Sequence, residues 1–174
     1  MAIYKYDNFI PKIGNNSYIS DSARVIGDVT IGEDCYIGHG AILRGDYGRI
    51  IIGSGSAIEE NAVLHIRPKG TLELEKSVTI GHGALIHCKL IKSFAVIGIG
   101  AVVGFDSIIG SWTIVAEGCV VTKNAMIPDG KIVTGVPYQI AGNIKAEHKE
   151  FWKYGKQLYV DLAHEYPEKF KKIS

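Results

Sequence analysis

The sequence predicts an all-β chain wound into a parallel β-helix of six-residue repeats and closed by a C-terminal α-helix. Three observations predict it: an aliphatic residue every six positions, a small residue four places after most of these, and a glycine one place after many. The aliphatic series begins Ile13, Ile19, Val25, Ile31, Ile37, Leu43. After a short interruption it resumes with Ile52, Ile58 and Leu64, and after a longer one with Leu74, Ile80 and Ile86. The next step is one residue short, and Ile91, Ile97, Val103, Ile109, Val115, Val121, Ile127 and Val133 complete the ladder. The small residues include Cys35, Ala41, Ala62, Ala84 and Cys119, and the glycines Gly14, Gly32, Gly53, Gly98 and Gly110.

An α-helix rotates a six-residue period off any one face, and a lone strand alternates with period two. A short strand followed by a corner, repeated, uses the period fully. The aliphatic residue then points inward and the small residue fits the corner, where the glycine is expected to relax the backbone. The ladder resembles the hexapeptide-repeat family of left-handed β-helices. That resemblance implies three hexads per triangular coil, so residues three rungs apart stack at roughly 4.8 Å, the spacing of neighbouring strands.

The ladder stops after Val133, and Gly135, Val136 and Pro137 form a turn. We divide the chain into a β-helix over residues 1–140 and a helical segment over 141–174 packed on it. From about Lys145 to Lys172, Phe151, Leu158 and Leu162 recur at helical spacing, as do Trp152 and Tyr159. This predicts an amphipathic helix whose aromatic residues cover the β-helix. Gly155 is a candidate kink, and Pro167 is expected to end or bend the helix.

The 174 residues suffice for one domain with its own core. A net charge of +1 without a basic cluster argues against a nucleic-acid partner. No apolar run is long enough to span a membrane, and no signal-peptide pattern follows Met1. Cys35, Cys88 and Cys119 form no CxxC pair, which points to a reducing, cytoplasmic compartment.

Three histidines lie inside the ladder. Arg44, His65 and His87 follow Leu43, Leu64 and Ile86, which are three rungs apart, so they share one column. His82 stands two places after Ile80, in a second column with Glu60 and His39. Stacked imidazoles of His65 and His87 suit one shared metal ion, whereas His82, before the corner that leads to His87, points elsewhere. One chain is therefore expected not to close a three-histidine site. A cyclic homotrimer would close it, with His82 of one subunit meeting the His65/His87 pair of the next. Three nitrogen ligands with an open position is the pattern of a catalytic zinc site, although iron, cobalt and nickel also accept imidazole. Read without a metal, each histidine is a corner or surface residue and Gly81-His82-Gly83 is only a turn.

Arg44-Gly45-Asp46, Val63-Leu64-His65 and Ile80-Gly81-His82-Gly83-Ala84-Leu85-Ile86-His87 resemble the motifs of the γ-class carbonic anhydrases. The likeness covers nearly the whole chain. Gly155-x-x-x-Tyr159-x-x-Leu162 is similar to the subgroup of phenylacetate-degradation and carnitine-operon hexapeptide proteins. The resemblance implies a trimer that holds zinc between His65 and His87 of one subunit and His82 of its neighbour. It also implies an Arg44–Asp46 ion pair supporting the interface, and hydration of carbon dioxide to bicarbonate by hydroxide generated at the metal.

The chain departs from that family pattern around the ligands. Glu59 and Glu60 stand where archetypal members carry Gln then Asp, and Arg67-Pro68-Lys69-Gly70 replaces an acidic loop with a shuttle carboxylate. Glu59 is placed to take a hydrogen bond or a proton from the attacking water. With the shuttle loop changed, Tyr159 joins Glu59 and Glu60 as a catalytic candidate, and His39 is a further substitute. Two other classes stay open. Hexapeptide β-helices also host acyl transfer, so an acyl-CoA transferase or thioesterase is one; a metal-binding trimer without fast turnover is the other.

Overall fold

The computed structural model describes residues 2–173. The chain is a parallel β-helix of about seven turns followed by one α-helix. Stacked two-residue strands such as Ala57–Ile58, Thr79–Ile80 and Val96–Ile97 make one wall, an eight-stranded sheet. The other two walls join into a twelve-stranded sheet, because Arg24–Ile31 and Ile42–Ile52 run round their shared corner without a break. This is the physical form of the first interruption of the ladder. Val29, Ile50 and Leu72 turn inward there and fill the space that the missing corner leaves.

Nearly every rung is buried in one continuous apolar core, from Ile19 to Val133, with Ile13 half-buried at its end. Where the ladder is one residue short, Cys88 fills the gap and is fully buried. All three cysteines are buried free thiols. Burial pushes the Cys88 thiol up to about 12, so it behaves as a core residue rather than a nucleophile.

The glycine expectation needs correction. At most corners the residue with positive φ lies three places after the rung, as at Asn16, Asp34, Gly40, Asn61, Gly83 and Asn124. Asn and Asp tolerate this left-handed conformation best, and Ser77, Phe94 and Trp112 adopt it too, so the position needs no strict glycine. The glycine one place after the rung serves a different end. A Cβ on Gly53 would lie 2.5 Å from the Glu75 carbonyl carbon in the next coil. Coil-to-coil approach, not backbone freedom, excludes a side chain there.

After the turn at 135–138, Gln139–Asn143 pairs antiparallel with Lys131–Thr134 and closes the wall. The helix α1 (Ala146–Lys169) then runs back along the wall that carries Tyr18–Ile19, Tyr36–Ile37 and Ala57–Ile58. Pro167 does not end it; the helix continues to Lys169, because a proline in the last turn forfeits only its own bond to residue 163. Its inward stripe keeps Trp152, Tyr159 and Leu162 of the expected residues but not Phe151 and Leu158. Phe151 is 66% exposed and Leu158 is exposed too. Lys156 and Ala163 are buried, and Tyr159, Leu162 and Tyr166 pack on Tyr18, Tyr36 and Ala57.

Candidate metal and catalytic site

The two columns form as spaced. Arg44 pairs in register with His65, and Leu64 with Ile86, which puts His87 one coil above His65. The two imidazoles meet edge to face with centroids 5.6 Å apart, and Phe105 packs on His87 at 4.8 Å. Arg44 Nη2 donates to His65 Nε2 at 2.9 Å. Asp46 lies 3.6 Å from Arg44 Nε and 3.7 Å from His65 Nε2, and takes the Tyr47 N–H at 3.0 Å. Burial, then the Arg44 charge, lowers the His65 pKa; burial, then His65 and Arg44, lowers that of His87. Both shifts favour the neutral ring that a metal requires, and at His65 Nε2 an ion would displace the Arg44 donor.

The second column centres on His82. Its Nδ1 lies 2.8 Å from Glu60 Oε2, and its Nε2 lies 3.1 Å from Glu59 Oε2, which also accepts the His82 backbone N–H at 3.1 Å. Glu60 is itself held by the Tyr36 hydroxyl, which donates to Oε1 at 2.8 Å. Burial opposes the charge on Glu60. The Tyr36 hydrogen bond, Glu60's own N–H and the His82 and His39 charges outweigh it and keep the carboxyl below its usual range. The Glu60 carboxylate on Nδ1 fixes the ring, and an ion at Nε2 would take the place of the ring's contact with Glu59, whose bond to the His82 backbone N–H remains. Tyr159 on α1 reaches this column, and burial followed by the Glu59 charge pushes its phenol up, so it stays protonated at neutral pH. His39 is tied to Ser20 Oγ at 2.6 Å and lies against Tyr166 and Phe170.

Arg44, Asp46, His65 and His87 are thus brought together at one place, and Glu59, Glu60, His82 and Tyr159 at another. Among the described residues, no group of three His, Cys, Asp or Glu side chains within one chain could hold a metal ion. The donor set nevertheless fits one: two neutral imidazoles on one edge, and on another a third imidazole oriented through Nδ1. The loop Arg67-Pro68-Lys69-Gly70 is tied down, with Arg67 Nη2 on Asp106 at 2.8 Å and Lys69 N–H on the Tyr47 carbonyl at 2.8 Å.

Three contributors escaped the sequence. Tyr36 precedes rung Ile37 and so faces outward, one coil from Glu60; that position marks it in hindsight. Phe105 follows rung Val103 by two and covers His87. Lys156 lies in the stripe Trp152, Lys156, Tyr159, Ala163, Tyr166, whose helical spacing places a cation at a buried position.

The family profile "Bacterial transferase hexapeptide (six repeats)" matches residues 10–45. The carnitine operon protein CaiE of Citrobacter koseri is 33% identical over 163 residues, 94% of this chain and 83% of that one. The mitochondrial gamma carbonic anhydrase 2 of Arabidopsis thaliana is 30% identical over 160 residues, covering 88% of this chain and 57% of that protein. This chain spans little more than half the length of the curated carbonic anhydrases that it matches. The crystal structure of a hexapeptide transferase family protein from Anaplasma phagocytophilum superposes with a TM-score of 0.90 at 28% identity, over 95% of this chain and 98% of that one. The fold, the coil register and these relatives agree: the chain belongs to the γ-class carbonic anhydrase-like family of hexapeptide-repeat proteins.

Proposed function

We propose that the protein is a metal-dependent enzyme of the carbonic anhydrase type, with its site between subunits of a homotrimer. His65 and His87 of one subunit and His82 of the next would hold the ion. Zinc suits three imidazoles, and iron, cobalt or nickel are the other candidates. The observation that carries this reading is the division of the imidazoles between two edges of one chain, with His65 and His87 together on one and His82 oriented by Glu60 on the other.

A divalent ion held there would supply the Lewis acidity that hydration of carbon dioxide needs near neutral pH. The side chains do the rest. Glu60, fixed by Tyr36, orients His82. Glu59, 3.1 Å from His82 Nε2, stands beside the position an ion would take and would accept a hydrogen bond or proton from water there. Tyr159, held protonated, flanks Glu59 as a neutral donor rather than carrying the proton away. Arg44 and Asp46 brace the edge that carries His65. The cavity at His82, lined by Val96, Ile99, Ile114 and Trp152 together with Glu59 and Glu117, measures about 130 Å³, a volume for a small molecule.

The test is stopped-flow hydration of carbon dioxide with metal content measured on the same sample. Activity that is lost on chelation and regained with zinc is expected. A metal-loaded but inactive protein would sink the hydration reading and leave metal binding without turnover. Acyl-CoA transfer or thioester hydrolysis is the second reading, favoured by the transferase profile and the transferase-family structural neighbour. Acyl transfer that survives chelation would select it.

Arg44→Ala removes the donor to His65 Nε2 and the partner of Asp46. A shift of the trimer toward smaller species, measured by light scattering across a dilution series, is expected. An unchanged oligomer would show the pair to be dispensable for assembly.

A further inference from the structure

Among the described residues, two charged side chains are buried, and they have opposite sign: Glu59 and Lys156, each 6% exposed. Both belong to the seam between α1 and the wall carrying Ala57–Ile58 and Thr79–Ile80. Lys156 Nζ donates to Thr79 Oγ1 at 2.9 Å and to the Ala95 carbonyl at 3.1 Å, and lies 5.9 Å from the Trp152 ring centroid. Thr79 and Trp152 line the same cavity as Glu59 and His82. Both hydrogen-bond partners of Lys156 are neutral, and its Nζ makes no direct ion pair, because Glu59 directs Oε2 to His82. A lone buried charge is costly unless an opposite charge compensates it, and two buried charges of opposite sign attract without touching.

We propose that Lys156 is the counter-charge of Glu59, a positioning residue on α1 that sets the charge felt by a cation at the His82 end of the site. This rests on the metal-site reading above. Burial pushes the Lys156 ammonium down to about 7, and the Glu59 charge pulls the other way. With Lys156 in place, Glu59 is already compensated and stays on His82. Without it, the carboxylate turns to the bound cation for compensation and closes the position that substrate needs. Removing a positive charge should therefore tighten metal binding. A purely structural lysine would, on removal, loosen binding or leave it unchanged.

Wild type, Lys156→Met, Glu59→Gln and the double variant test this as full-length proteins at one concentration. Urea unfolding is measured first, metal-free in chelator, and then zinc affinity by competition with a chromophoric chelator at pH 7. The unfolding constants should be non-multiplicative by about tenfold or more, because each single change strands one buried charge and the double change strands none. Zinc should bind about fivefold or more tightly to Lys156→Met, and this gain should vanish in the Glu59→Gln background. Multiplicative unfolding effects would overturn the pairing whatever zinc does. Coupled unfolding with zinc affinity unchanged or lower in Lys156→Met would overturn the tuning of the site. A wild type that binds no zinc overturns the metal-site reading, and the tuning with it, while the unfolding cycle still decides the pair.

Discussion

Alanine at His82 is expected to strip metal from the protein while leaving the β-helix folded. The ring is 46% exposed and its bonds go to the side chains of Glu59 and Glu60, so the core rungs Ile80 and Ile86 on either side lose nothing. One missing nitrogen of three is enough to empty a site whose remaining two donors sit on another subunit. The stronger form of the result is complementation. His82→Ala retains the His65/His87 pair, and a His65→Ala/His87→Ala variant retains His82. Each alone should bind no metal. Co-expressed, they should regain roughly a quarter of the wild-type content, since a mixed trimer rebuilds one interface of three. Metal analysis of the purified mixture measures this. Failure of the mixture to regain metal, or full metal in His82→Ala alone, would remove the inter-subunit site.

Alanine at Gly53 is expected to destabilise the protein by about 3 kcal/mol, against about 1 kcal/mol at Gly118. At Gly53 the new Cβ would lie 2.5 Å from the Glu75 carbonyl carbon and 2.7 Å from the Lys76 nitrogen, both backbone. Those atoms cannot retreat without opening the bond from Gly53 N–H to the Leu74 carbonyl, 2.8 Å long, that joins the coils. Gly118 has φ +64° and nothing within 4 Å of a Cβ, so alanine there costs only the left-handed backbone conformation. Urea midpoints of the two variants measure the difference. Equal losses would mean that coil spacing does not constrain the position after the rung.

The sequence carried the columns because a β-helix turns linear spacing into stacking. Ile80 and Ile58 pair directly, so His82 and Glu60 had to be neighbours, and the same holds for Arg44, His65 and His87. It assigned the face of α1 in part: Trp152, Tyr159 and Leu162 do turn inward, whereas Phe151 and Leu158 do not. Phe151 and Leu158 match a helical period as well as Lys156 and Ala163 do, and only the groove between Tyr18, Tyr36 and Ala57 decides which stripe is accepted. Nor did the ladder assign the glycines correctly, because close approach and positive φ both favour glycine and differ only in three dimensions.

By itself, then, the six-residue period determined the β-helix, its inward residues and the two histidine columns, since each follows from repeated local geometry. Tertiary structure alone decided how those columns are held. Tyr36 fixes Glu60, Arg44 faces His65 Nε2, and α1 lowers Lys156 into the wall beside Glu59, because long-range packing between elements is set by shape and charge that no local spacing encodes.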